Sequence, residues 1–391
     1  MSIWHSLREG IGFGASSLDR TRFSASPQWR DGRFRTVLPR KDGSMLTAAL
    51  KFFFGGSPNR IPDAPLPVVT RRQGEFDVPP ASGLRVTWFG HSTMLLEISG
   101  RRILIDPVWS DRASGFASIG PRRFFPPLIA LADLPALDLV VLSHDHYDHL
   151  DEAVIRRLAT AGLRFLMPLG VGAHLRRWGV SPAQIVEVDW WEEFHLDDLT
   201  ITATPARHFS GRGLVDHGQS LWTGYAFASP RHRVYYAGDT AMQDEFAAIG
   251  ERLGPFDLSM MEVGAYNALW ADVHLGPEQA IRGHQLVRGG VLLPIHWGLF
   301  DLALHGWTEP IERTLVAARQ AAITVATPRP GESFELTAQI PVTRWWPELP
   351  WQTAVEAPLR SSGVDHLFPA VNASGAAETA GIAGPESLEG A

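Results

Sequence analysis

From Leu84 onward the chain alternates between short apolar runs and longer amphipathic stretches. LRVTW, MLLEI and RRILI follow one another closely, and Ser99–Gly100 separates the last two as a hairpin turn requires. LVVL at 139–142 reads as a buried strand, and Asp151 stands where it can cap a helix over DEAVIRRLATAG that stops at Gly162. The alternation then continues. RFLMP, IVEV, LTITAT, LWTGYAFA and RVYYAG read as strands, VGAHLRRWG as a helix, and AMQDEFAAIG as a helix starting after Thr240. DLSMMEV, the helix GPEQAIRGHQLVRG, the strand VLLPI, the helix TEPIERTLVAARQAA and the strands ITVAT and SFEL complete the folded region. No fixed repeat of 20–50 residues is present. Strands interleaved with helices predict a layered α/β fold over residues 83–352.

The flanks read differently. Residues 1–82 mix Arg, Gly, Pro and isolated aromatics without a lasting period, which predicts an irregular N-terminal arm wrapped over the domain. Residues 353–391 are dominated by Ala, Gly, Ser, Pro and Glu; such a composition buries too little apolar area to order itself, so a disordered, dispensable tail is expected. Charge divides along the same line: residues 1–80 hold 12 basic and 7 acidic side chains, leaving 23 and 35 for the rest. The acidic catalytic half argues against a nucleic-acid partner. Trp4, Phe13, Phe23, Trp29, Phe34 and Phe52–Phe54 lie among the arm's arginines, a composition suited either to peripheral contact with an anionic bilayer or to packing on the domain. No apolar run reaches the ~18 residues of a membrane span, and Met1–Gly10 lacks the apolar stretch of a signal peptide, so a cytoplasmic protein is expected, with membrane association at the inner surface left open. Oligomeric state is not legible.

The chain has no cysteine, which excludes a disulfide scaffold, a thiolate nucleophile and any Cys-ligated metal. Metal must then be held by His and carboxylates. Ser143–Asp151 reads SHDHYDHLD, with three of the chain's 15 histidines in six residues directly after an apolar strand. His144 and His146 can converge on one ion from such a loop, while Asp148 and His149 point to a second. His208, Asp239 and His296 each follow a later strand, and Gly238 allows the backbone a close approach beside Asp239.

The ordered set His-x-His-x-Asp-His, His, Asp, His resembles the metallo-β-lactamase-fold hydrolases over roughly residues 84–340. WFGHST, IDPVWSDRAS, GPRRF, SHDHYDHLD, YYAGDT, GAYNALW, HLGPEQA and IHWG resemble the branch that contains N-acylphosphatidylethanolamine-hydrolysing phospholipase D. The resemblance implies an αββα sandwich and two zinc ions per chain, with His144, His146 and His208 on one, Asp148, His149 and His296 on the other, and Asp239 bridging. Related di-iron redox proteins have Glu where His146 stands; two imidazoles here favour zinc, hence hydrolysis by a water whose pKa falls from about 15.7 to about 7. The implied substrate is a phospholipid or another phosphodiester. Asp148 and Asp239 carry the catalytic role as ligands, Asp148 with proton transfer to the leaving alcohol as an alternative. Asp106 either orients a ligand imidazole or serves as a turn residue before Pro107. His91 and His274 are candidates for substrate contact or for structure, and Tyr147 either lines the pocket or packs in its loop. A soluble phosphodiester or lactone hydrolase and a noncatalytic metal-binding protein are the alternative functions.

Overall fold

The computed structural model describes residues 17–41, 47, 55–116, 118–213 and 215–368. Two seven-stranded sheets form the body. The first contains β3 (Leu84–Trp88), β4 (Met94–Ile98), β5 (Arg101–Ile105), β6 (Leu139–Val141), β7 (Phe165–Pro168), β8 (Ile185–Val188) and β16 (Ser333–Phe334), in the order β16-β3-β4-β5-β6-β7-β8. The second runs β15-β14-β13-β12-β11-β10-β9, built from β9 (Glu193–Leu196), β10 (Leu199–Thr204), β11 (Gly224–Ala228), β12 (Arg233–Tyr236), β13 (Phe256–Glu262), β14 (Gly289–Ile295) and β15 (Thr324–Val325).

Period-two alternation assigns each side chain to a layer. Ile103, Ile105, Leu139 and Val141 enter the core shared with Ile201, Tyr225, Val234 and Met260 of the opposite sheet. Leu104, Val140 and Leu142 point the other way, onto α2 (Glu152–Ala159) and α3 (Gly172–Arg177), meeting Val154, Ile155, Leu158 and Leu175. On the far sheet lie α4 (Glu245–Leu253), α5 (Pro277–Leu286) and α6 (Glu309–Gln320), which complete an αββα sandwich. Asp151 caps α2, its Oδ1 accepting from Ala153 N at 3.0 Å and Val154 N at 3.4 Å. Its Oδ2 accepts from the Trp109 and Ser110 amides, so one carboxylate joins helix start and neighbouring loop.

Strand direction gathers the chemistry at one edge. β4 lies antiparallel between β3 and β5, and β5 pairs parallel with β6, so β3, β5 and β6 run the same way. By the same reasoning β10, β12, β13 and β14 share a direction in the second sheet. Their carboxyl ends deliver His91, Asp106, the 143–151 loop, His208, Asp239, Glu262 and His296 to the same rim, the position favoured for ligands in α/β sheets.

The N-terminal arm contributes α1 (Ser17–Phe23) and a hairpin of β1 (Trp29–Arg30) and β2 (Arg33–Phe34). Phe23 and Phe34 are buried with Trp29 against Leu169, Trp190, Leu221 and Trp222, which takes these three aromatics into packing on the domain. Trp4, Phe13 and Phe52–Phe54 lie outside the described residues, as does 369–391.

Four expectations change. The helix anticipated after Thr240 begins at Glu245, because Ala241 N bonds Arg207 O and the Met242 carbonyl accepts from the Arg207 guanidinium. Leu221–Thr223 stand outside a strand: Leu221 N and Thr223 N bond Leu169 O and Ser143 O, tying the segment to the other sheet's loops. β9 was not anticipated; it is an edge strand with charged, exposed positions, as edges favour. The tail expected to lack structure from residue 353 packs on the domain as far as 368. Ser361 and Val364 are buried, Ser361 Oγ donates to Ala271 O at 2.6 Å, Ser362 N donates to Asp272 Oδ1 at 2.7 Å, and Arg207 donates to Ser362 O at 3.0 Å.

Ending the chain at residue 352 therefore strips the buried Arg207–Asp272 pair of its cover. The expected result is a thermal midpoint lower by at least a few degrees, roughly the equivalent of 1–2 kcal/mol in a domain of this size; a calorimetric trace identical to the full chain's would contradict the packing described.

Candidate metal centre

Three of the site's imidazoles are anchored from outside by one nitrogen, leaving the other turned inward. His208 Nδ1 donates to Val273 O at 2.9 Å and His149 Nδ1 to Asp106 Oδ2 at 2.7 Å. His144 Nδ1 lies 2.9 Å from Ser143 Oγ, which itself donates to Asp106 Oδ2 and so accepts from the imidazole. The tautomers follow from these partners: Nε2 of each ring carries a lone pair toward the rim. His144 Nε2 and His208 Nε2 stand 2.9 and 3.2 Å from His146 Nδ1. One proton on His146 can satisfy only one of them. Asp239 Oδ2 lies 3.8 Å from both Nε2 atoms, so the four residues converge with an excess of electron pairs.

A second group forms on the other side of Asp239. His296 Nε2 is 3.0 Å from Asp239 Oδ2 and 3.3 Å from Asp148 Oδ2, and His149 Nε2 is 3.2 Å from Asp239 Oδ1. Despite these separations, His149 Nε2, His296 Nε2 and Asp239 Oδ1 are fully buried with no hydrogen-bond partner. Buried polar atoms are rarely left so, and these are aimed at a shared point rather than at one another. His91 joins this group, its Nε2 2.8 Å from Asp148 Oδ2.

Charge follows the same division. Burial, with neighbouring imidazoles adding to it, drives the His144 and His208 pKa values well below the usual 6.5. Burial opposes charge on His149 and His296 as well, but there Asp239 and Asp148 prevail, raising His149 well above 6.5 and His296 to about 10. Burial likewise opposes charge on Asp148 and Asp239, yet the adjacent imidazoles hold both carboxyls well below the usual carboxylate range. The carboxylates thus demand positive charge at this spot, from protons or from metal.

Asp106 is buried and accepts four hydrogen bonds: from Ser143 N at 2.7 Å, Ser143 Oγ and Tyr236 Oη at 2.5 Å, and His149 Nδ1. It fixes the start of the histidine loop and one imidazole together. Backbone strain concentrates here: Asp106, His91 and His296 have φ of +39°, +53° and +63°, a region costing non-glycine residues of order 1–3 kcal/mol each. At Gly238, φ is +61° and an added Cβ would stand 2.6 Å from Thr223 O, so glycine permits the approach beside Asp239.

Sequence reasoning missed two residues. Glu262, wholly buried at the end of β13, accepts from Thr240 N at 2.7 Å and Leu275 N at 3.0 Å, while its Oε2 holds His274 Nδ1 at 2.9 Å. Its pKa is raised by burial, with Asp239 adding to the rise against the pull of His274. Glu262, His274, Asp239 and His296 are close enough to form a third donor group, but both Glu262 oxygens are already engaged, which suits Glu262 better to orienting His274. Its sequence signal was a lone acid closing the apolar run LSMMEV. Asp145 binds Gly211 N at 2.8 Å and Ser220 Oγ at 2.7 Å, tying the histidine loop to the 208–220 loop. Of the two readings of Tyr147, pocket lining or packing in its loop, the second describes its ring, which packs under Arg212, whose guanidinium lies 4.0 Å from the ring centroid, and against Gly115.

Residues 101–297 match the model of the β-lactamase superfamily domain, about half of the chain. The chain belongs to that superfamily. It is a metallo-hydrolase by that membership, with clustered His and Asp side chains able to bind metal. The structure of a novel metallo hydrolase from the hyperthermophilic archaeon Ignicoccus hospitalis aligns with a TM-score of 0.50 at 26% identity, covering 64% of this chain and 98% of that one. An uncharacterized protein of Mycobacterium tuberculosis is 45% identical over 350 residues, 88% of this chain and 93% of its own. N-acyl-phosphatidylethanolamine-hydrolyzing phospholipase D 1 of Caenorhabditis elegans is 40% identical over 265 residues, 65% of this chain and 73% of its own.

The superfamily rim is sensitive to backbone position. A Cβ at residue 264 would stand 2.1 Å from His296 O, so Gly264→Ala must displace the His296 backbone without removing any donor side chain. We expect metal affinity to fall by roughly 10–100-fold, as when an outer support is lost, read by competition with a chromogenic chelator; unchanged affinity would contradict the role given to this contact.

Proposed function

We propose that the chain is a zinc-dependent phosphodiesterase of the phospholipase D type, acting on N-acylphosphatidylethanolamine or a related phospholipid from the cytoplasmic side of a membrane. The observation that carries the reading is the pair of donor groups meeting at Asp239, with buried, unpartnered nitrogen and oxygen atoms turned toward a shared point. Nitrogen and carboxylate donors without thiolate fit a borderline cation such as zinc. In this reading His144, His146 and His208 hold one ion, Asp148, His149 and His296 the other, and Asp239 both. Such a pair, when bound, supplies Lewis acidity and lowers the pKa of a water from about 15.7 to about 7.

The chain's own residues do the rest. Asp106 keeps His149 in one tautomer and supports His144 through Ser143. His91, with Nε2 committed to Asp148, steadies that carboxylate, so its role moves from substrate contact to support. His274, with Nδ1 on Glu262, can turn its remaining nitrogen to a substrate oxygen and hold or pass a proton there. Asp148 and Asp239 act as ligands, their depressed basicity making them poor proton acceptors.

Two observations support a lipid. The Caenorhabditis elegans relative is named for hydrolysing N-acylphosphatidylethanolamine. A largely apolar groove of about 950 Å³, walled by Leu66, Val68, Ile119, Phe124 and Phe125, is large enough for acyl chain. No helix among the described residues is long and apolar enough to cross a membrane, so lipid would be met peripherally. A second reading, hydrolysis of a soluble phosphodiester, is favoured by the arginine-lined cavity beside His208.

Zinc-replete protein should release N-acylethanolamine and phosphatidate from N-acylphosphatidylethanolamine in mixed micelles. His144→Ala or Asp239→Ala should lose bound zinc and reduce turnover by roughly a thousandfold or more. Turnover of a lactone or a plain diester alone would transfer the assignment to a soluble substrate, and wild-type turnover with two zincs retained in either variant would reject the ligand set.

A further inference from the structure

The metal-capable groups are bordered on the His208 side by a cavity of about 460 Å³ whose wall comes from the N-terminal hairpin. Arg30, Arg33, Arg35 and Arg40 line it with His208 and Phe209, and no carboxylate is among its lining residues. Asp31 lies 3.3 Å from Arg35, and the guanidinium groups stay charged at any working pH. This concentration of one sign stands against a domain whose remaining charge is acidic.

The backbone that carries these arginines is held in place by the fold, and Arg30, Arg33 and Arg35 stand exposed along it. Phe23 and Phe34 bury the hairpin's other side, Phe34 N donates to Gly218 O at 2.8 Å, and Pro39 O accepts from the buried Arg207 at 2.9 Å. Arg40 lies over the Phe209 ring at 4.7 Å, and that ring packs on His146 and His208 with centroids 4.5 and 4.7 Å away. One aromatic ring therefore separates a fixed cation from the convergent imidazoles. A single phosphate drawn to the metal-capable groups does not need four further cations arranged round a separate volume. Guanidinium groups pair with phosphate through two parallel hydrogen bonds, and a volume of this size accepts a phosphate with its water.

We propose that the cavity formed by Arg30, Arg33, Arg35 and Arg40 seats a second anionic group of the substrate, a phosphate monoester, next to the diester that is cleaved. The inference rests on the phosphodiesterase reading and narrows it: the preferred diester carries an additional phosphate, either on the headgroup of an anionic phospholipid or on a small soluble molecule. The cavity binds and selects; hydrolysis remains with the metal-capable groups.

Two measurements on the zinc-loaded full chain test it. In the first, inorganic pyrophosphate is titrated calorimetrically into wild type, Arg33→Gln/Arg40→Gln and Arg33→Lys/Arg40→Lys, with folding checked by near-ultraviolet circular dichroism. The Gln variant should bind roughly tenfold or more weakly and the Lys variant in between, as expected for loss of charge-assisted bonds, and the difference should shrink as salt is raised. Equal affinity in all three proteins overturns the proposal, and this arm needs no turnover, so it stands apart from failure of the phosphodiesterase reading. In the second, two diesters that differ only in a phosphate monoester on the leaving alcohol are compared, once as soluble compounds and once as diacyl lipids in micelles. Wild type should favour the phosphorylated member through KM by about tenfold or more, and the Gln variant should lose that preference. Preference only in micelles identifies a lipid headgroup, preference in both forms a soluble phosphate, and no preference in either form overturns the proposal.

Discussion

Asp239 shares one largely buried crevice with seven imidazoles and two further carboxylates, and the electron pairs there exceed the protons available to separate them. His144 and His208 spend their N–H groups on outward partners, Ser143 and the Val273 carbonyl, so their inner nitrogens have lone pairs with nothing to bind but His146. His149 is tied outward to Asp106 in the same way. An apolar interior cannot tolerate such unmatched groups, and a cation is what resolves them. The strained backbone at Asp106, His91 and His296 has the same origin: the chain turns sharply just past a strand so that a side chain reaches the shared point.

Much of the fold was legible because sheets covered on both faces leave near-continuous apolar runs. LVVL, FLMP and LTITAT read as strands for that reason, and their period of two assigns Leu104 and Val140 to one layer and Ile103 and Val141 to the other. β9 escaped because an edge strand with Glu193 and His195 exposed offers no such run. The segment 353–368 escaped because composition averages over a window, whereas its anchorage depends on a few positions, Ser361, Val364 and Leu367, and on hydrogen bonds to Arg207, Asp272 and Arg282 that no local pattern reveals.

The site was legible where donors crowd in sequence and obscure where they act through another residue. SHDHYDHLD announces itself, and His208, Asp239 and His296 could be sought at strand ends. Glu262 could not, since one acid at the end of a strand has many ordinary uses and only the fold brings His274 onto it. For Tyr147 the sequence left pocket lining and packing open, since position between two donors does not fix direction, and the ring packs under Arg212. The arm, irregular in pattern, turns out to carry order through Phe23 and Phe34, which lets its arginines face the same rim as the histidines.

The account is tested most directly by anomalous diffraction from crystals of the zinc-loaded protein, recorded on both sides of the zinc absorption edge. It predicts two edge-dependent peaks flanking Asp239, one among His144, His146 and His208 and the other among Asp148, His149 and His296. A difference map empty at both places, from protein that hydrolyses its substrate at full rate in chelator, would contradict it.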